Sequence, residues 1–287
     1  MIVYLNGHYL PAAEARISVD DRGFLFADGV YEVIRVYDGR PFLADLHYHR
    51  LREGLAAVRI ATAAIDEIRS SVDRLLDLND LRGGDATIYI QVTRGAAPRR
   101  HSFPDADVPP TMLVAAKPFR QHPAAYWDDG VAAISLPDTR WSRCDIKSIA
   151  LLPNVLANQQ AKEAGAFEAL FIRDGVLIEG SHSNLAGVID DTVITYPVCN
   201  YILPGITRRF ILDLAGDLGI AVREGAILVE DMPRVQELFL TGTTTEVMPI
   251  TRLDGKPVGD GRPGPVARRL QQAYRDRIDA QRAAEVA

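Results

Sequence analysis

The sequence has few cysteines, no excess of positive charge and no long apolar segment, and each absence excludes a class of protein. Cys144 and Cys199 are the two cysteines among 287 residues, too few for a disulfide framework and without a C-x-x-C metal or redox pair. The net charge of −6 argues against a nucleic-acid surface, which needs a basic face. No apolar run approaches the roughly 20 residues that span a bilayer. No signal peptide is evident either, so we expect a cytoplasmic protein.

The remaining composition is that of an ordinary soluble globular protein, with 47% hydrophobic and 24% charged residues. The length fits two domains better than one small core. The segment K-P-F-R-Q-H-P carries two prolines and is the best linker candidate. We therefore predict a small N-terminal domain over residues 1–117, a linker over 118–123 and a larger C-terminal domain over 124–287.

Local patterns predict strands and helices in irregular alternation. Asn6-Gly7 and Asp38-Gly39 lie between apolar runs and predict two-residue hairpin turns. Apolar spacing predicts helices over 44–60 and 65–78, and alternation predicts a strand over 86–94. Further strands are predicted over 130–136, 169–174, 185–189 and 237–241, with helices over 154–164, 207–218 and 266–284. The last helix is charged on most of its circumference, which suggests a solvated covering helix. The fold class is α+β with mixed sheets.

One lysine and one glutamate stand out by their position. Lys147, in W-S-R-C-D-I-K-S, comes directly before an apolar run, and Glu179 follows at the end of a predicted strand in I-E-G-S-H-S-N. A lone lysine beside apolar sequence is usually a surface residue whose stem lies along that sequence, and an isolated glutamate is usually solvated. The pairing favours cofactor chemistry instead. Schiff-base formation needs a desolvated amine, and a pyridine cofactor needs an acidic partner for its ring nitrogen.

Two turns have the composition of an anion-binding cradle. L-P-G-I-T-R puts a Pro-Gly turn before a helix, so the backbone amides of Ile206 and Thr207 lie at the positive end of the helix dipole. L-T-G-T-T-T-E, which contains Thr243, is a second turn whose amides and hydroxyls suit a phosphate. Gly-Thr loops are common, so either turn alone is weak evidence.

Together these segments resemble the class IV aminotransferases, the pyridoxal-phosphate enzymes of fold type IV that act on D-amino acids or branched-chain amino acids. The resemblance runs from D-R-G-F-L-F-A-D-G-V-Y-E-V to T-G-T-T-T-E-V, with the pieces in the family's order. It implies a small N-terminal α/β domain and a larger C-terminal, mixed β-barrel-like domain with helices. It also implies a homodimer, with pyridoxal 5'-phosphate bound between the two domains of each subunit.

The resemblance assigns cofactor roles to individual residues. Lys147 would form the Schiff base and move the proton during catalysis, and Glu179 would keep the pyridine nitrogen protonated. Ser181, Ser183 and Asn184 would hold the Glu179 carboxylate. The other implied cofactor contacts are Arg50, Ser183, Ile206, Thr207 and Thr243. His182 stands where the family has a small hydroxyl residue and has no assigned role.

Substrate recognition is expected from Tyr31 and from the segment Q-V-T-R-G-A-A-P-R-R-H-S-F-P. Arg99 and His101 match the Arg-x-His pattern with which D-amino-acid transaminases bind an α-carboxylate, and a planar cation beside an imidazole suits that group. In relatives this loop reaches across from the neighbouring subunit. Composition alone would favour a solvated basic loop, and Tyr31 could be a core-edge aromatic. Arg100 has no assigned role.

The implied activity is transamination between a D-amino acid, such as D-alanine, and a 2-oxo acid, such as 2-oxoglutarate, through Lys147. The expected partners are these small molecules and a second subunit, with no metal, nucleic acid or membrane. Three alternatives remain open. A branched-chain L-amino-acid aminotransferase would not need Arg99 and His101, and an aminodeoxychorismate lyase would release pyruvate without a 2-oxo acid acceptor. A non-catalytic binding protein would carry Lys147 as a core-edge residue.

Overall fold

The first of two compact units consists of Met1–Arg120 and Ile146–Ala150. It is seen in a computed structural model that describes residues 1–60, 65–105 and 108–283 of the chain. Its strands are β1 (Ile2–Leu5), β2 (His8–Pro11), β3 (Gly29–Tyr37), β4 (Arg40–Pro41), β5 (Ala86–Thr93) and β6 (Thr111–Pro118). Its helices are α1 (Arg22–Phe26), α2 (Ala44–Ala57) and α3 (Ile65–Leu78). The strands form one antiparallel sheet in the order β2-β1-β6-β5-β3-β4.

Both predicted hairpin turns are present. Asn6 and Gly7 have φ of 49° and 88° and join β1 to β2 with Leu5 opposite His8. Asp38 and Gly39 have φ of 49° and 73° and join β3 to β4. Two successive positive φ values match the twist of the flanking strands, which explains why Asn-Gly and Asp-Gly occur here.

The core of the first unit lies between the sheet and the two long helices. α3 has the predicted bounds, and its apolar positions Ile65, Ile68, Val72 and Leu75 are buried in the same cluster as residues of β5. α2 ends at Ala57, three residues before the predicted end. Arg59 has a φ of 59°, a left-handed conformation that cannot continue a helix.

The second unit consists of Gln121–Asp145 and Leu151–Ala287. Its strands are β7 (Val131–Pro137), β8 (Glu168–Arg173), β9 (Val176–Gly180), β10 (Asn184–Ile189), β11 (Thr192–Thr195), β12 (Val222–Glu224), β13 (Ile227–Leu228), β14 (Glu237–Gly242), β15 (Glu246–Leu253) and β16 (Lys256–Pro257). Its helices are α4 (Ala124–Asp128), α5 (Leu152–Glu163), α6 (Ile206–Asp217), α7 (Pro265–Ala283) and a 3-10 turn over Val229–Arg234.

Six strands of the second unit close into a ring in the order β10-β14-β15-β7-β8-β9. The ring closes where Glu179 of β9 pairs with Asn184 of β10. The pairs β15–β7 and β7–β8 are parallel, and the other pairs around the ring are antiparallel. The predicted α+β fold with a mixed, barrel-like second part is thus confirmed.

α7 is the covering helix that its charge predicted, with most of its circumference exposed or half-buried. The buried residues of α7 recur at one helical face and comprise Ala267, Leu270, Gln271, Tyr274 and Ile278. This spacing of three and four residues forms one narrow stripe, which the many charged positions around it concealed. The predicted last residue of this helix, at position 284, lies outside the described residues.

The unit boundaries differ from the predicted domains in one segment. The chain passes from the first unit to the second between Arg120 and Gln121. Residues 146–150, predicted to be C-terminal, group with the first unit because they run alongside the start of β3. Tyr31 donates its N–H to Lys147 O at 2.9 Å, and Ile149 donates its N–H to Gly29 O at 3.2 Å. The division into domains stays a prediction.

None of the helices within 1–60, 65–105 and 108–283 is long and apolar enough to cross a membrane.

Candidate active site

Lys147 lies beside β3, on the strand-like segment that pairs with it. Its neighbour Ser148 forms a β-bridge with Val30, and this register places Lys147 Nζ 4.4 Å from the centroid of the Tyr31 ring. The side chain is half-buried, and Ile146 beside it belongs to the core. Leu152, in the apolar run that follows the lysine, is 69% exposed in the second unit. The amine is therefore partly desolvated mainly by the aromatic face of Tyr31.

Two tyrosines of neighbouring strands, Tyr31 on β3 and Tyr89 on β5, stand together on one face of the sheet. The rings of Tyr31 and Tyr89 are 5.9 Å apart, and Tyr89 donates its hydroxyl to Gln91 Oε1 at 2.6 Å. Burial, and to a lesser extent Tyr31, raises the pKa of Tyr89 to about 12. Tyr89 therefore stays a neutral hydrogen-bond donor at physiological pH, and Tyr31 has a polar setting on this face of the sheet.

Arg50, predicted to bind phosphate, is held by a buried carboxylate in the first unit. Arg50 donates Nε to Glu32 Oε1 at 2.7 Å and Nη2 to Glu32 Oε2 at 2.9 Å. His47 Nδ1 is 2.8 Å from Glu32 Oε2. Burial acts to raise the pKa of Glu32, but the charge of Arg50 and the bonds from both partners outweigh it and lower the value to about 2.

His47 in this cluster is governed by burial, which lowers its pKa despite the neighbouring Glu32. A neutral imidazole beside an ionised carboxylate donates its Nδ1–H. Neither Glu32 nor His47 was predicted from the sequence. The spacing of His47 and Arg50 on one face of α2, and the position of Glu32 next to Tyr31, were the available signals.

The predicted carboxylate-binding residues lie against one aromatic ring. The Arg99 guanidinium is 5.1 Å and the His101 ring 5.6 Å from the Phe26 ring centroid. Both side chains are exposed, as is Arg100 between them. Arg99 and His101 thus share a platform, while the carbonyl of Arg100 accepts a hydrogen bond from Arg22.

In the second unit, the buried Glu179 carboxylate at the end of β9 is surrounded by donors. Its Oε1 accepts a hydrogen bond from Arg140 Nη1, and its Oε2 accepts from Asn184 Nδ2 and from the Leu203 N–H, both at 3.1 Å. Asp138 accepts from Arg140 Nε at 2.9 Å and from Nη2 at 3.0 Å. Burial raises the pKa of Glu179 to about 7, although Arg140 acts to lower it.

The Glu179 site fits a protonated ring nitrogen. An ionised carboxylate offers about four lone-pair positions, and the described residues use three of them. One position on Oε1 remains for a cationic donor. Such a donor would also offset the cost of burying the ionised form, which is what raises the pKa. Arg140 and Asp138 escaped the sequence analysis because a buried ion pair 39 residues apart leaves no local pattern.

The serines of the turn after β9 bind a different carboxylate from the predicted one. Ser183 Oγ donates to Glu168 Oε2 at 2.9 Å and Ser181 Oγ to Glu168 Oε1 at 3.4 Å. The backbone N–H of His182 also donates to Glu168, at 2.7 Å. The prediction that both serines hold Glu179 is therefore wrong, because the fully buried Glu168 lies within their reach. The role of Ser183 in cofactor binding stays a proposal.

The N-terminus of α6 has the features of a phosphate site. Its N-cap is Gly205, which supplies no side-chain hydrogen bond, and a Cβ there would overlap Asn184 Oδ1. The first-turn residues Ile206 and Thr207 are buried, and their amides have no partner within the helix. These amides are therefore available to bind an anion at the positive end of the helix dipole. Thr241 lies opposite Asn184 across the β10–β14 pair. Among the described residues, its buried Oγ1 has no hydrogen-bond partner.

Thr243 is half-buried in the turn between β14 and β15. The second unit therefore carries the predicted phosphate and ring-nitrogen residues, and the first unit carries Lys147, Tyr31, Arg50 and the Arg99–His101 pair.

Comparison with known proteins shows to which family the chain belongs. The model of the family "Amino-transferase class IV" matches residues 29–253. The chain belongs to the class IV aminotransferases. The D-alanine aminotransferase of Bacillus licheniformis is 41% identical over 279 residues, which is 97% of each chain. That of Staphylococcus haemolyticus is 39% identical over 97% of this chain and 98% of its own.

Solved class IV aminotransferases share the fold. The branched-chain amino acid aminotransferase of Escherichia coli superposes with a TM-score of 0.88 at 28% identity, covering 96% of this chain and 93% of its own. The branched-chain aminotransferase of T.th., solved with pyridoxamine 5'-phosphate, gives 0.88 at 27% identity over 98% and 95%. Class IV aminotransferases depend on pyridoxal 5'-phosphate. The residues described above fit that cofactor.

Proposed function

We propose that this class IV aminotransferase transfers the amino group between a D-amino acid, such as D-alanine, and a 2-oxo acid, such as 2-oxoglutarate. The observation that carries the proposal is the placement of Arg99 and His101 on the Phe26 ring, where a cation and an imidazole stand side by side. A planar guanidinium binds a carboxylate through two hydrogen bonds. The identity to D-alanine aminotransferases, 41% and 39%, supports the proposal.

Lys147 and Glu179 have different chemical roles toward the cofactor in this proposal. When bound, pyridoxal 5'-phosphate supplies an electron sink for the charge left at the substrate Cα. Lys147 Nζ would be the attachment point and would carry the proton away from Cα and back, since the Tyr31 ring partly desolvates it. Glu179 would keep a proton on the ring nitrogen, since its Oε1 accepts only one hydrogen bond among the described residues. Its own interactions with Arg140 and Asn184 keep it in place.

Phosphate binding is assigned to α6 and to the turn after β14. The first-turn amides of Ile206 and Thr207 would hold the phosphate at the helix terminus, and Thr243 would add a hydroxyl. Arg50 adds a guanidinium whose direction is fixed by its bidentate bond to Glu32. Ser183 contributes indirectly, because its bond to Glu168 stabilises the turn that follows Glu179.

The preference for one enantiomer of the substrate follows from the fixed position of the substrate's α-carboxylate. Arg99 and His101 bind the α-carboxylate, with Tyr31 beside it, and Lys147 can reach only one face of Cα. With the carboxylate on the Arg-x-His side, the family's geometry would turn the hydrogen of a D-amino acid toward the lysine and that of the L-enantiomer away from it.

We also infer a cytoplasmic homodimer. α5 presents Leu152, Val155 and Leu156 to solvent at spacings of three and four residues. Such an exposed apolar stripe is typical of a surface that subunit association covers. Light scattering of the purified protein tests this directly, since a monomer at micromolar concentration would contradict it.

The decisive experiment is a paired assay of D-alanine and L-leucine, each with 2-oxoglutarate. We expect D-alanine to be preferred, and Arg99→Ala to lower its kcat/KM roughly ten- to a hundredfold, the loss expected of one charge-assisted contact. Arg120→Ala, outside the proposed site, is the control. A preference for L-leucine would establish the branched-chain alternative. Pyruvate released from aminodeoxychorismate without a 2-oxo acid would establish the lyase.

A further inference from the structure

We propose that Arg22, oriented by Asp28, is the positioning residue that sets the carboxylate-binding geometry of Arg99 and His101. The inference deepens the proposed function and rests on it. It concerns the first unit alone and a set of contacts between α1 and the loop that follows β5.

The first observation is how Arg22 holds the backbone of this loop. Its Nη1 donates to Arg100 O at 2.7 Å and to Ser102 O at 3.3 Å, the carbonyls on either side of His101. Arg22 is 3% exposed, whereas residues 99–102 are exposed. A buried side chain that donates hydrogen bonds to two carbonyls, two residues apart in an exposed loop, fixes the orientation of the peptide planes between them. It therefore sets the directions in which Arg99 and His101 project.

The second observation is that Asp28 orients Arg22. Asp28 Oδ2 accepts from Arg22 Nε and from Arg94 Nε, both at 2.8 Å, and Oδ1 accepts from Arg94 Nη2 at 3.0 Å. Arg94 is anchored in turn on the end of α2, where it donates to Val58 O at 2.6 Å and to Arg59 O at 2.9 Å. A continuous chain of charge-assisted bonds thus runs from α2 through Asp28 to the loop.

Phe26 contacts the side chains of Arg99 and His101, as Arg22 contacts the backbone of the same loop. It lies four residues after Arg22 on α1, so both residues stand on the same face of the helix. The Arg22 guanidinium is 4.8 Å from the Phe26 centroid, on the same ring that contacts Arg99 and His101. One helical turn therefore holds the loop twice, with Arg22 on its backbone and Phe26 on its side chains.

α1 is itself rigidly placed, as this role requires. Asp21 caps it by accepting from the Gly23 N–H at 2.8 Å. The same carboxylate accepts from the hydroxyls of Thr93 at 2.9 Å and Thr111 at 2.6 Å, on β5 and β6. These hydrogen bonds fix the position of α1, and therefore of Arg22, relative to the sheet.

The test separates positioning from general stability. In Arg22→Met holoenzyme we expect kcat/KM for D-alanine to fall roughly tenfold or more, through KM. The single-turnover rate with an amine that lacks a carboxylate, (R)-1-phenylethylamine, should change less than about threefold. Asp28→Asn, which keeps the size of the side chain, should show the same split. Deuterium exchange of the 96–105 peptide should rise in both variants.

Arg35→Met is the matched control. Arg35 on β3 is another buried arginine of the first unit, paired with Asp85 and stacked on Phe119, and it makes no contact to the 99–102 loop within the described part of the chain. It should lose stability while keeping the wild-type ratio of D-alanine to amine activity. If Arg22→Met and Asp28→Asn keep that ratio too, the positioning role is refuted and the proposed function stands. If the wild type does not use D-alanine, the proposed function falls, and this inference falls with it.

Discussion

The buried carboxylate of Glu32 allows a quantitative prediction. Replacing it with glutamine keeps its shape but removes the charge that faces Arg50, and the amide nitrogen cannot accept a hydrogen bond from the guanidinium. Breaking a buried ion pair on one side costs roughly 3–5 kcal/mol. We therefore expect Glu32→Gln to destabilise the first unit by about 3 kcal/mol at pH 7.

The pKa of Glu32 gives an independent value and a pH dependence. Because this pKa is lower in the folded state, at about 2, than its ordinary value of 4.5, the carboxylate contributes stability above pH 4.5. This contribution is lost as the pH falls toward 2. At ~1.4 kcal/mol per pH unit the gap between 4.5 and about 2 corresponds to roughly 3–4 kcal/mol, in line with the cost of breaking the ion pair. The difference between wild type and Glu32→Gln should therefore be constant from pH 5 to 8 and shrink at lower pH.

Hydrogen exchange of the β3 and β5 amides is the suitable assay. Both tryptophans, Trp127 and Trp141, lie in the second unit, so tryptophan fluorescence would follow the wrong part of the chain. Glu53→Gln is the matched control, since this carboxylate on α2 is 64% exposed and its pairing with His49 contributes little. An opening free energy reduced by less than about 1 kcal/mol at pH 7, or a difference that does not shrink below pH 4.5, would refute the reasoning.

Two further predictions concern the reaction. Lys147→Ala should abolish transamination, while Lys162→Ala, on the exposed side of α5, should not. Borohydride reduction should place the pyridoxyl label on Lys147, and since the chain has only four lysines, peptide mapping gives an unambiguous answer that a label elsewhere would overturn. Glu179→Gln should retain the cofactor, seen by its visible absorbance, but lose roughly two or more orders of magnitude in kcat. A near-normal rate would show that Glu179 does not act on the ring nitrogen.

Local chemistry made much of the first unit predictable. Asn6-Gly7 and Asp38-Gly39 require positive φ, and α3 repeats its apolar residues at helical spacing, so each pattern has one structural solution. The placement of residues 146–150 was not predictable, because it depends on backbone hydrogen bonds to Gly29 and Tyr31 more than a hundred residues earlier.

In the candidate site, too, residues in local motifs were predictable, whereas residues that act through distant contacts were not. Lys147 and Glu179 are candidates that their motifs indicate, because cofactor chemistry restricts the residue types, and their roles stay predictions. The carboxylates that organise the site could not. Glu32 and Glu168 are fully buried and make their bonds 13 to 18 positions away along the chain, where no periodic pattern connects the partners. Ser181 and Ser183 were assigned to Glu179 because it is nearer in sequence, whereas the folded chain brings Glu168 to them.

The single pair at which the six-stranded ring closes has a consequence for the order of folding. Glu179 and Asn184 are five residues apart, but the ring also needs β15 beside β7, and Ile250 pairs with Val131 across more than a hundred residues. Contacts of such long range form late, because the entropy of closing the loop is lost before the contact is gained. A nascent chain that ends before β15 can pair β9 with β10 but cannot close the ring, so the Glu179–Asn184 pair then lies on an open sheet. The ring that holds the two ends of this turn together is therefore expected to be completed last, with the strand that joins β14 to β7.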